Sequence, residues 1–150
     1  MFGDRKPFPL AQTDFLESSG VFSPDGRWIA YTTNEGGQPN VYVQPLLGGG
    51  ARQQVSRDGG GQAVWRADGK ELFFIAPDGT LMAAPVEASG EFKAGPQALF
   101  AAIPPSTLTI TASQFAVTKD GKRFLVIARP DEVSAAPLTV VVNWPATIQK

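Results

Sequence analysis

The sequence predicts an all-β protein built from repeated small sheets, each a meander of four antiparallel strands. Three segments align without gaps around an Asp-Gly pair, and they begin at Gly20, Ala63 and Phe115. The 16 glycines and 13 prolines exceed average usage, which indicates many turns and therefore many short elements. No stretch keeps a 3.6-residue apolar period for three turns without an interrupting glycine or proline, so no helix is predicted.

Each aligned segment is typical of a β-hairpin. Its turn holds an Asp-Gly pair, because glycine accepts the positive φ of a tight turn and aspartate accepts hydrogen bonds from the turn's own backbone. The residues assigned this structural role are Asp25, Gly26, Asp68, Gly69, Asp120 and Gly121. After the second and third turns, the segments LFFIA and FLVIA are apolar on both strand faces, which predicts sheets covered on both sides.

Third and fourth strands follow the first two hairpins. NVYVQPL and TLMAAPV are the predicted third strands, and they end at Pro45 and Pro85, where loss of a ladder donor is tolerated. ARQQVS and PQALFA are the predicted fourth strands, whereas the third copy has only LTVVVNW as a third strand. The prediction is one domain over 1–150, with a stray fourth strand at 6–13, units at 20–56 and 62–101, and an incomplete unit at 113–144.

The spacing of the repeats is that of β-propeller blades. The aspartates at 25, 68 and 120 stand 43 and 52 residues apart, close to the ~40–50 residues typical of a blade. About three blades form a partial propeller, open unless oligomerisation completes it. Open blade edges carry unpaired strands, so we expect the chain either to form a homo-oligomer through them or to aggregate.

Composition excludes most kinds of catalytic site. The chain has no His and no Cys, which removes the Ser-His-Asp triad, Cys-His pairs and zinc sites with nitrogen or sulfur ligands. No phosphate-binding or nucleophile-elbow motif appears, so the expectation is no enzyme activity, no metal and no cofactor. A net charge of −1 argues against a nucleic-acid partner, and no apolar run approaches the ~20 residues needed for membrane insertion.

The segments FSPDGRWIAY, VWRADGKELFF and VTKDGKRFLVI resemble the repeats of TolB-like, or WD-repeat-like, β-propellers. The first copy matches the family pattern fully, whereas Arg66-Ala67 and Thr118-Lys119 replace Ser-Pro in the other two. The chain also resembles the C-terminal propeller portion of large bacterial proteins, some of them associated with serine/threonine kinase domains. The resemblance implies a sensor, scaffold or protein-binding role in the periplasm or elsewhere outside the cytoplasm, and it transfers no activity.

Two further interpretations stay open. The chain is alternatively part of the non-catalytic propeller that gates substrate access in a serine peptidase of the prolyl oligopeptidase type. Trp28, Trp65 and Trp144 either form a stacking surface for sugar or peptide, or pack in the core.

Candidate binding residues lie in the loops between second and third strands and in the crossings between blades. Propellers bind ligands on the face that these loops build, and polar loops on a rigid scaffold are common binding sites. The candidates for a protein or peptide partner are Asn34, Glu35, Gln38, Asn40, Arg57, Asp58, Gln62, Asp78 and Arg129.

Overall fold

The computed structural model describes residues 9–10, 13–47, 50–87, 95–101, 103, 113–127 and, by backbone alone, 140–142. The strands are β1 Glu17–Phe22, β2 Trp28–Thr33, β3 Asn40–Pro45, β4 Gln53–Gln54, β5 Gly61–Trp65, β6 Glu71–Ile75, β7 Thr80–Pro85, β8 Gln97–Ala101, β9 Phe115–Val117, β10 Arg123–Val126 and β11 Val140–Val142. None of the described residues is helical. No helix in this part of the chain is long and apolar enough to cross a membrane.

The strands form three sheets, in each of which neighbours in the sequence are neighbours in space. The first sheet has the order β1-β2-β3-β4, the second β5-β6-β7-β8 and the third β11-β10-β9. Every strand pair is antiparallel. The predicted fold class, blade-like antiparallel meanders in an open arrangement, is therefore confirmed.

The Asp-Gly pairs lie in the turns that join the first two strands of each sheet. In the first turn Gly26 N donates to Ser23 O at 2.9 Å with the glycine at φ +70°, and the other two turns repeat this bond and this conformation. The carboxylate of Asp25 accepts the backbone N–H of Arg27 at 3.0 Å. Asp68 and Asp120 accept the corresponding N–H groups of Lys70 and Lys122, both at 3.1 Å. One local hydrogen-bond pattern thus builds all three hairpins.

These turns predict how stability depends on pH. The Ser23 hydroxyl and the Arg27 N–H lower the pKa of Asp25 to about 2, and the Arg66 guanidinium lowers that of Asp68 to about 2. A carboxyl whose pKa is lower in the folded chain stabilises the fold above its unfolded pKa, and this contribution is lost as pH falls through the folded pKa.

We therefore expect the urea midpoint of unfolding to fall between about pH 4 and pH 2, less steeply in the Asp25→Asn/Asp68→Asn variant. Asparagine still accepts the turn N–H but does not titrate. Equal slopes for the two proteins over this pH range would contradict the assignment of these two carboxylates.

Two apolar clusters hold the three sheets together. The first lies between the first and second sheets and includes Ala30 and Val43 from one, Leu72 and Phe74 from the other, all at most 1% exposed. Trp65 packs against this cluster, and its indole N–H donates to Val21 O across the seam at 3.4 Å. Because strand residues alternate between faces, the intervening residues of β6 point to the third sheet.

The second cluster lies between the second and third sheets. It includes Phe73 and Ile75 of β6, with Phe124 and Val126 of β10. The second sheet is therefore buried on both faces, as the segment LFFIA predicts. The third sheet differs: Leu125 and Ile127 are 41% and 59% exposed, because within the described part of the chain no sheet lies against their face.

Candidate functional site

A groove of 600 Å³ lies beside the second sheet, at the end where the predicted binding loops occur. One wall is the crossing from the first sheet to the second, which contains Arg57 and Asp58. The other wall is the turn between β6 and β7, which contains Asp78. Three of the predicted candidates, from two separate loops, therefore line one groove.

The floor of the groove is apolar. Phe74, Met82 and Ala98 line it, and they are cross-strand partners on β6, β7 and β8, so their side chains share one face of the sheet. Phe74 is 1% exposed and packs into the first core cluster, whereas Ala98 is exposed. The groove therefore extends from Phe74, which is packed in the core, to Ala98 on the outer strand β8.

The rim of the groove carries charge. The side chains of Arg57 and Asp58 are exposed, and Asp78 Oδ1 accepts the backbone N–H of Thr80 at 2.9 Å. The backbone N–H and hydroxyl of Thr80 lower the pKa of Asp78. At neutral pH the rim thus presents two carboxylates and one guanidinium above an apolar floor.

Asn40 holds the wall of the groove instead of lining it. The side chain is 3% exposed, and its Oδ1 accepts the Ser56 hydroxyl at 2.9 Å and Gly59 N at 3.1 Å. The Ser56 hydroxyl oxygen also accepts Val41 N at 2.9 Å. These bonds tie the crossing that carries Arg57 and Asp58 to β3 of the first sheet, so the groove is preformed.

The other candidates lie elsewhere. Gln62 is buried in β5, where its amide donates to Gln114 Oε1 at 3.1 Å and accepts Gln114 N at 2.7 Å, which joins the second and third sheets. Asn34, Glu35 and Gln38 lie in the loop between β2 and β3 and do not line the groove. Asn34 Oδ1 accepts Leu16 N, and Glu35 forms a salt bridge with Arg52 at 2.5 Å. Arg129 lies outside the described residues.

The groove also contains residues that the sequence did not single out, namely Phe74, Met82 and Ala98. The signal that could have found them is the alternation of β6 combined with the position of the β6–β7 turn. Both place Phe74 on the face opposite Phe73 and next to the predicted loops. Among the described residues no group of three or more His, Cys, Asp or Glu side chains is arranged to hold a metal ion.

A second groove, of 690 Å³, lies at the opposite end of the strands among the Asp-Gly turns. Trp28 and Trp65 line it, and both pack against the first core cluster. These two tryptophans are half-buried, so each side chain packs against the core and also leaves part of its surface accessible in the groove. Trp144 lies outside the described residues, as do positions 6–8 and 11–12 of the predicted stray strand.

No protein-family model matches the sequence. The crystal structure of TolB from Acinetobacter baumannii superposes on 83% of this chain with a TM-score of 0.57 and 21% sequence identity. The chain has the fold of TolB-like β-propeller blades. It spans 29% of that TolB chain.

A second solved structure has similar TolB-like blades. Oligogalacturonate lyase from Vibrio parahaemolyticus superposes on 78% of the chain with a TM-score of 0.53 and 15% identity, and the chain spans 31% of it. At these identities the likeness concerns the fold. In the TolB-like blades of this chain, the groove at Asp58 and Asp78 lies on the end built by crossings and by turns between second and third strands.

Proposed function

We propose that the chain is a non-catalytic β-propeller segment that binds a protein or peptide partner in the groove between Asp58 and Asp78. The observation that carries this proposal is the combination, in one preformed groove, of an apolar floor with an ionised rim. Ligand sites are typically concave and apolar, with a few polar groups that fix the ligand's orientation. This groove has that composition.

The chemistry of the groove favours an extended peptide that carries an apolar side chain next to a basic one. The apolar side chain would contact Met82 and Ala98, while the lysine or arginine would face the carboxylates of Asp58 and Asp78. Charge-assisted hydrogen bonds to carboxylates are stronger than neutral ones, which makes the basic residue the main determinant of specificity. Arg57 would contact a carboxylate or carbonyl oxygen of the same peptide.

Peptide panning tests this proposal. A displayed peptide library is selected on the 150-residue chain, with the Asp58→Asn/Asp78→Asn variant as competitor in solution. Asparagine at 78 still accepts Thr80 N, so the turn is kept while the charge is removed. We expect enriched peptides that pair a basic with an apolar residue and bind the variant at least ~10-fold more weakly.

A matched control is Asp14→Asn, which removes one exposed carboxylate outside the groove. It should leave peptide affinity unchanged. Peptides that bind the double variant as tightly as the native chain, or that carry no basic residue, would overturn the proposed site.

The non-catalytic part of the proposal is supported by composition, since the chain has no histidine or cysteine to act as base or nucleophile. One structural neighbour is named as a lyase of oligogalacturonate, which supplies a direct assay. We expect no cleavage of oligogalacturonate by this chain under conditions where a lyase is active.

The proposed compartment, in keeping with the TolB-like fold, is outside the cytoplasm, and the proposed role is sensing or scaffolding through the bound partner.

A further inference from the structure

The two ends of the stack of sheets expose apolar side chains. At one end, Leu125 and Ile127 of the third sheet are 41% and 59% exposed. At the other end, Phe22 of the first sheet is 62% exposed. Phe22 pairs with Ile29 and therefore lies on the face of the first sheet that points away from the second.

The repeats within the chain show what covers such faces. Leu125 occupies the repeat position of Ala30 and Phe73, five residues after the turn aspartate, and both of these are 0% exposed against the next sheet. Phe22 occupies the position of Trp65 and Val117, and both of these pack against the preceding sheet. Each exposed face is therefore of the type that another blade buries twice within this same chain.

The third sheet has a groove at the place where the residue of a following sheet that corresponds to Phe22 would pack. Its volume is 360 Å³, and Ala116, Arg123 and Leu125 contribute to its lining. Ala116 occupies the repeat position of Val21, whose carbonyl oxygen accepts the Trp65 indole N–H at the first seam. The exposed Ala116 is smaller than Val21 and Val64 at the corresponding places, which leaves room for an aromatic ring.

We propose that the third sheet docks the first sheet of a second copy of this chain, with Phe22 of that copy in the groove at Ala116 and Leu125. The occupant is a second copy because the two exposed faces belong to one chain and correspond to the two sides of a seam that the chain already forms twice. Arg123 at the rim lies where its guanidinium can contact the aromatic ring.

The contact is head-to-tail, so it occurs twice in a closed dimer. Two stacks of the three described sheets give six, which is within the roughly 4–8 blades of a propeller. A head-to-tail contact closes into a ring when its rotation allows and otherwise extends into a filament. The TolB-like fold of the sheets favours closure.

Size-exclusion chromatography with light scattering tests the contact on the full chain. We expect the native chain to be a dimer, and Phe22→Glu and Leu125→Glu each to raise its dissociation constant at least ~10-fold, because each buries a charge at an apolar seam. Both residues are exposed in the single chain, so far-UV circular dichroism should be unchanged. Leu47→Glu is the matched control, since Leu47 is 79% exposed and lies on neither face.

Mixing the two variants distinguishes this contact from a back-to-back dimer of third sheets. Phe22→Glu keeps an intact third sheet and Leu125→Glu keeps an intact first sheet, so their mixture is expected to form a heterodimer through one native contact. A native chain that stays monomeric at all concentrations would overturn the proposal, and a further blade would then be the partner of this face. A Phe22→Glu variant that still dimerises, or a native chain that forms filaments, would also overturn it.

Discussion

Phe73→Ala is expected to lower the free energy of unfolding by about 3–5 kcal/mol, the usual cost of removing a buried phenylalanine ring. Phe73 is 0% exposed in β6 and lies at the centre of the cluster between the second and third sheets. Its ring meets that of Phe124 edge to face, with centroids 5.1 Å apart. The substitution therefore leaves a cavity and also removes an aromatic contact worth about 0.5–1.5 kcal/mol.

Urea denaturation at one fixed protein concentration measures this change, because association would otherwise shift the apparent stability. Leu47→Ala serves as control, since Leu47 is 79% exposed and its truncation should alter stability by less than ~0.5 kcal/mol. A loss below about 1 kcal/mol for Phe73→Ala would mean that the third sheet does not pack on the second as described.

Gly79→Ala is expected to cost about 2–5 kcal/mol, for two reasons that add. Gly79 has φ +84°, a conformation that costs an L residue roughly 1–2 kcal/mol. An added Cβ would also lie 1.7 Å from the carbonyl oxygen of Ile103, so the backbone there must move, at a further cost of about 1–3 kcal/mol. Gly79 O accepts Ile103 N at 3.1 Å, and that bond would be strained as well.

Gly37→Ala separates the two causes. Gly37 has a similar φ of +88°, but a Cβ there would meet nothing within 4 Å, so only the conformational cost of about 1–2 kcal/mol is expected. The difference between the two variants in thermal or urea unfolding is the steric part. Equal losses at the two positions would show that the segment at Ile103 does not approach the turn.

The hairpins are the part of the fold that the sequence predicts best, because each depends on a local rule. Asp25, Asp68 and Asp120 each accept a hydrogen bond from the backbone N–H two residues later in the turn. The gapless repeat shows the same Asp-Gly pattern three times, so the turns can be predicted from the sequence. The irregularities in the first strands are not visible in this way. Ser19 and Gln62 adopt positive φ without being glycines, at equivalent places in β1 and β5 where the register shifts. Such bulges depend on packing between sheets, which sequence alone does not show.

The candidate site follows the same division between local and long-range causes. Arg57, Asp58 and Asp78 are polar loop residues, and loop position alone predicts that they share one end of the sheets. Phe74 and Met82 form the floor between these loop residues. This could not be predicted from the sequence, because it depends on the distance between two sheets. Gln62 is a polar residue of a type common in loops. Its side-chain amide nevertheless hydrogen-bonds to the side-chain amide of Gln114, 52 positions away in the chain.

The second sheet is the only one of the three that is enclosed by a neighbour on both sides within the described part of the chain. In a linear array whose members touch only adjacent members, stability passes from one end to the other through the middle. Local unfolding of the first or the third sheet then leaves two sheets that still pack against each other. Local unfolding of the second sheet leaves two sheets without a packing partner, and water reaches their apolar faces. Hydrogen exchange should accordingly be slowest for the amides of β6, and these amides should report global unfolding rather than local opening.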